Sequence, residues 1–120
     1  MMKPRDQGTR AETEVVRRCH LRKLQAWRLA EGGIRDAGDV AVRTGSGDHV
    51  VLEVKHRENL SAHQALHTAT EKTVKADLPF APLLTAVVWK RSTSRGEGKR
   101  RAPQGTVVIL TLDDFLGLLR

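Results

Sequence analysis

One hundred and twenty residues, 39% of them apolar and 29% charged, suffice for one compact domain with one core, and residues 1–120 are expected to form a single domain. The 21 Lys and Arg outnumber the 14 Asp and Glu, for a net charge of +7, and the pI near 10.3 favours a polyanionic partner, nucleic acid foremost. A single cysteine, Cys19, excludes an internal disulfide and a cysteine-rich zinc site, and no apolar run approaches the roughly 18 residues of a spanning helix.

Residues 1–7 read as a flexible basic arm that includes Arg5. It has no apolar signal region, so a cytoplasmic location is expected. Thr9 followed by Glu12 fits a capping box, and Ala11, Val15, Val16 and Cys19 make an apolar stripe, so a helix is expected over about 9–22. Arg10 sits on its polar side. Glu12 has two readings: the acid of the capping box, or a carboxylate aimed at a site elsewhere in the fold. Leu24 to Ala30 alternates and holds Trp27, which suggests a strand. Gly32 and Gly33 break it, and a loop with Ile34 and Arg35 leads to Asp39. Arg35 either pairs with Asp36 in solvent or meets a phosphate.

Residues 38–55 are the most informative stretch. Two short apolar runs flank Thr44, Gly45, Ser46, Gly47 and Asp48, the pattern of a hairpin with a five-residue loop. Charges interrupt it at Asp39, Glu53 and Lys55. In a strand, Glu53 and Lys55 project together with Val51, while Val50, Leu52 and Val54 form the other row, expected to face the core. With Asp39 across the hairpin, two carboxylates and an ammonium share one sheet edge. Such carboxylates repel unless a cation lies between them, and hard oxygen ligands suit Mg2+ or Mn2+. Lys55 would orient or deprotonate a water, or offset charge on a phosphate.

After Arg57, Ser61 is placed to cap a helix carrying Ala62, Ala65, Leu66, Ala69, Thr73 and Val74 at helical spacing, with Lys72 and Lys75 directed at nucleic acid. His63, His67 and Glu71 fall four residues apart. They lack the His-Glu-x-x-His arrangement and a nearby cysteine, so a wet helix face is expected rather than zinc. Pro79 and Pro82 end the helix, and Leu83 to Trp89 has the length and apolarity of a buried strand. Residues 90–103 read as a flexible basic loop in which Lys90, Arg91, Arg95, Lys99, Arg100 and Arg101 contact phosphates. Thr106 to Leu112 is a further strand. Asp113 or Asp114 would cap a last helix whose Phe115, Leu116, Leu118 and Leu119 close the core or meet a second subunit. With only Trp27, Phe80, Trp89 and Phe115 as aromatics, a base-stacking platform is poorly supplied.

The order αβββαββα, an α/β mixed sheet flanked by helices, together with these charges resembles the archaeal-type Holliday junction resolvases of the PD-(D/E)XK nuclease superfamily, notably relatives encoded by actinobacteriophages. The motifs are Gly8-Thr9-Arg10-Ala11-Glu12, Gly38-Asp39-Val40, Glu53-Val54-Lys55 and Val88-Trp89-Lys90-Arg91, in order over about 110 residues. The resemblance implies a restriction-endonuclease-like sheet. It also implies Mg2+, with Mn2+ as a substitute, bound by Asp39, Glu53 and the Val54 carbonyl, with Glu12 on the metal or its water. Lys55 would position the attacking water. Further implications are a homodimer, a four-way junction as substrate, and no nucleotide cofactor. Where the archaeal enzymes carry a loop serine before the aspartate, this chain has Gly33 or Ile34. The same core also serves restriction- and repair-type endonucleases on other DNA, and a basic sheet of this kind can bind DNA without cutting it. Few aromatics and no recognition insert weigh against sequence-specific duplex cleavage.

Overall fold

The structure is a computed structural model that describes residues 4–91 and 105–120, with side chains described from residue 8 onward. The elements are α1 (Pro4–Leu21), β1 (Gln25–Arg28), a 3-10 turn (Leu29–Gly32), β2 (Val40–Arg43), β3 (His49–Arg57), α2 (Ala62–Lys75), β4 (Pro82–Arg91), β5 (Thr106–Ile109) and α3 (Leu112–Leu118). The five strands form one mixed sheet in the order β1-β2-β3-β4-β5. Among the described residues only β3 and β4 are parallel, and α2 makes the crossover that a parallel pair requires. No helix of the described residues is long and apolar enough to cross a membrane.

Helix α1 starts earlier than expected. Proline fits the first helical turn, where its missing N–H is no loss, and residues 4–7, expected as part of an arm, are helical. Thr9 is therefore inside the helix and forms no capping box. Its carbonyl accepts from Thr13 Oγ1 at 2.8 Å. Val15, Val16 and Cys19 of α1, with Leu52 and Val54, pack on Ala26, Val40 and Val42, one face of the sheet. Leu29, Ala37, Ala41 and Val51 form the core of the other face, joined by Trp27, Ile34, Ala76, Leu78 and Phe80.

Several expectations are corrected. The row opposite the one expected to face the core is buried as well: Val51 is wholly buried and Glu53 is 5% exposed. Because β3 is a central strand with α1 on one side and α2 with its flanking loop on the other, both of its rows are covered. The strand at Leu24 to Ala30 is shorter, since Leu29 and Ala30 turn into the 3-10 segment. Ser61 occupies the N-cap position of α2 without a side-chain cap bond, and Val74 faces outward at 78% exposure. Lys90 and Arg91 belong to β4 rather than to a loop. The rest of that expected loop, with Arg95, Lys99, Arg100 and Arg101, lies outside the described residues, as does the Arg5 side chain. Thr111, not an aspartate, caps α3, accepting from the Asp114 N–H at 3.1 Å. That helix buries none of its residues, so it does not close the core.

Candidate active site

The hairpin delivers its charges as the alternation requires. Strands β2 and β3 pair antiparallel with Val40 opposite Leu52 and Ala41 opposite Val51, which sets Asp39 beside Glu53. The Asp39 backbone is held on both sides: its N–H donates to Leu52 O at 2.9 Å, and its carbonyl accepts from Leu29 N–H at 3.0 Å. The preceding residue is confined too. Gly38 has φ of 141°, and a Cβ there would run into Val51 Cγ1, so only glycine lets the loop pass over β3. Thr73 on α2 is buried, and its Oγ1 lies 3.1 Å from the carbonyls of both Ala37 and Ala69, which ties this loop to the helix. Ile34, in the loop that leads to Asp39, packs on the core.

The Val54 N–H donates to Asp39 Oδ2 at 2.7 Å. Even so, burial, followed by the charge of Glu53, raises the Asp39 carboxyl from 3.8 to about 6, against the help of that N–H. Glu12 adds a smaller push in the same direction. Asp39 therefore senses both of the other acids expected at the site.

Each also has a cationic or N–H partner. Glu53 Oε1 accepts from Lys72 Nζ at 2.9 Å and has Lys55 Nζ at 3.6 Å. The bond to Glu53 is the main cause of a raised Lys72 pKa, which keeps the ammonium charged. Glu12 Oε1 accepts from Arg28 Nε at 3.2 Å, while Arg28 Nη1 reaches Glu31 at 3.1 Å. Glu12 is thus engaged by β1, and neither its capping role nor direct convergence on Asp39 and Glu53 is seen. Among the described residues, no group of three His, Cys, Asp or Glu side chains is placed to hold a metal ion.

The surroundings are basic. Glu53, Lys55 and Arg57 line a cavity of about 220 Å³ with Ser61, Gln64 and Thr68. Toward the C-terminal end of α2, exposed Arg35 shares a depression of about 550 Å³ with Asp36, Lys72, Lys75 and Asp77. Trp89, opposite Lys55 in the parallel register, donates its indole N–H to Arg57 O at 2.8 Å. The Arg91 guanidinium lies 6.0 Å from the Trp89 ring and donates to Glu58 O. Burial, and after it the charge of Lys90, lowers the His56 pKa. Arg10 is exposed on α1. His67 and Glu71 pair with each other at 2.7 Å on the outer face of α2, the wet face expected there.

Sequence reasoning missed Arg28, Thr73 and the inward reach of Lys72. Arg28 had a signal: it shares the strand face of Ala26, two residues before it, and that face is the one α1 covers. Thr73 and Lys72 depend on how α2 crosses the sheet, which residue spacing does not give. No protein-family model, no curated protein and no solved structure matches this chain.

Proposed function

We propose that this protein is a metal-dependent, structure-selective DNA endonuclease that resolves four-way junctions by phosphodiester hydrolysis, on a restriction-endonuclease-like scaffold. The observation that carries the reading is the Asp39–Glu53 pair. Two carboxylates are fixed beside each other by strand pairing, one of them raised to about 6, with Lys55 on the same strand face.

The donor set suits a hard divalent cation, because one placed between Asp39 and Glu53 would relieve the repulsion that the backbone prevents them from escaping. Those two side chains would hold Mg2+ or Mn2+, with the Val54 carbonyl on the same strand and Glu12 acting through water. When bound, the ion supplies Lewis-acid activation of a phosphoryl oxygen and of the attacking water. Lys55 orients that water or offsets charge developing on the phosphate. Arg57, Arg35, Arg10, Lys90 and Arg91 track phosphates, so selectivity rests on DNA shape more than on base edges. Two copies acting together would cut symmetrically across the junction, and the exposed apolar residues of α3 suit that contact.

The test is cleavage of an immobile four-way junction and of matched linear duplex, with Mg2+ and with EDTA, by the wild type and by Glu53→Gln. Paired nicks on the junction alone, abolished by EDTA and by the substitution, are expected. Junction binding with no cutting under any divalent ion would overturn the catalytic reading, and equal cutting of linear duplex would overturn junction selectivity.

A further inference from the structure

We propose that Lys72 is a second positioning lysine of this site, one that holds the Glu53 carboxylate until a divalent cation takes it and then turns to the substrate phosphate. The inference rests on the nuclease reading and adds a residue that lies outside the Asp and Glu-x-Lys motif.

Lys72 reaches Glu53 from a different element, across the face of the sheet. Its Nζ is 2.9 Å from Oε1, nearer than the 3.6 Å of Lys55. Both ammonium groups address one oxygen of a carboxylate that is almost wholly buried. Mg2+ binds a carboxylate oxygen at about 2.0–2.1 Å. An ammonium hydrogen-bonded to that same oxygen would lie against the ion, and like charges so close repel strongly outside bulk water. Lys72 and the cation therefore compete for Glu53.

Lys72 is the lysine able to yield. Its side chain is 40% exposed against 26% for Lys55, and its charge sits on a flexible four-carbon stem. The base of that stem stays put, because the next residue, Thr73, is buried and bonded to Ala37 O. A turn away from Glu53 carries the ammonium into the depression it shares with Arg35, Lys75, Asp36 and Asp77, where three cations outnumber two carboxylates and leave a net positive charge for a phosphate. Without metal, the same lysine neutralises part of the acidic pair. The site is thus held together before the cation arrives, at the expense of affinity for it.

The test is titration of the 120-residue chain with Mn2+, reading free ion by electron paramagnetic resonance, for the wild type, Lys72→Met and Lys72→Arg, with circular dichroism to verify folding. Lys72→Met is expected to bind Mn2+ about fivefold tighter, since a competing cation is gone. Lys72→Arg should bind no tighter than the wild type, because its guanidinium fork still engages Glu53. In Ca2+, Lys72→Met should bind a four-way junction about threefold more weakly, having lost one phosphate contact. A residue of merely structural importance would not tighten metal binding when removed. Unchanged or weaker Mn2+ binding by Lys72→Met overturns this inference and leaves the nuclease reading standing. Failure of the wild type to bind Mn2+ overturns both.

Discussion

Asp39→Asn should make the metal-free protein more stable while abolishing its proposed activity. In the fold the Asp39 carboxyl titrates at about 6 against an ordinary 3.8, through burial and the charge of Glu53. The folded protein therefore holds this proton more tightly than the unfolded chain. The group's contribution to stability is complete below about pH 4 and is lost as pH rises through about 6. That gap corresponds to about 3 kcal/mol if fully expressed. Asp39 is only partly buried, so solvent screening reduces it to about 1–2 kcal/mol. Asparagine retains an oxygen to accept the Val54 N–H and removes the charge. For a chain of this length, 1–2 kcal/mol is about 4–8 °C in Tm. Thermal melts in EDTA should show that gain near pH 8 and its disappearance near pH 4. Excess Mg2+ should raise the wild-type Tm by about 6 °C at ten times its Kd, and should leave Asp39→Asn nearly unmoved. A variant less stable than the wild type at pH 8, or a difference independent of pH, would refute the electrostatic argument.

Gly38→Ala should destabilise the fold by about 2–4 kcal/mol, because its φ of 141° and the approach of Val51 Cγ1 leave a Cβ no room; urea unfolding measures it, and cleavage should fall with the displacement of Asp39. Thr73→Val keeps the side-chain shape and leaves the Ala37 carbonyl without its hydroxyl partner, so a loss of about 1–2 kcal/mol is expected, with cleavage reduced further than stability alone explains. On α3, Phe115 and Leu119 are 47% and 68% exposed; sedimentation velocity should show a dimer that Phe115→Asp with Leu119→Asp converts to monomer while circular dichroism is unchanged.

The hairpin was the most legible part of the chain, since Val40 to Val42 and Val50 to Val54 around a Gly-rich turn have few alternative pairings. Its burial was misjudged for a definite reason. Alternation in an antiparallel hairpin suggests one wet face, but β3 also pairs with β4 across an α2 crossover, so α1 covers one face while the 3-10 turn and the loops before β2 and after α2 cover the other. Val51, in the row of Glu53, was the available warning. The start of α1 was obscured because Gly8 and Thr9 look like a helix beginning, whereas Pro4 had already set one. Glu12, Asp39, Glu53 and Lys55 were visible as charges on structured elements. Their cationic partners were not: Arg28 is 16 residues from Glu12 and Lys72 is 19 from Glu53. Those pairings follow from helix-on-sheet geometry, and no local pattern encodes them.

The acidic pair bears on the choice between a nuclease and a scaffold. Asp39 cannot relax away from Glu53, because Leu29 and Leu52 hold its backbone and Gly38 is wedged against Val51. A protein that only bound DNA would gain nothing from this arrangement. Under the proposed function these two fixed carboxylates would stand beside the DNA backbone and oppose the attraction of a +7 chain for it, an opposition that Lys72 and Lys55 offset only in part, at Glu53. Under that reading the repulsion would become useful once a divalent cation neutralised the pair and bridged to phosphate. Junction affinity should therefore be about tenfold or more higher in Ca2+ than in EDTA at matched ionic strength, and the difference should vanish in Asp39→Asn with Glu53→Gln. Equal affinity in the two buffers for the wild type would mean that the carboxylates stand clear of the DNA, and the active-site assignment would fail with it.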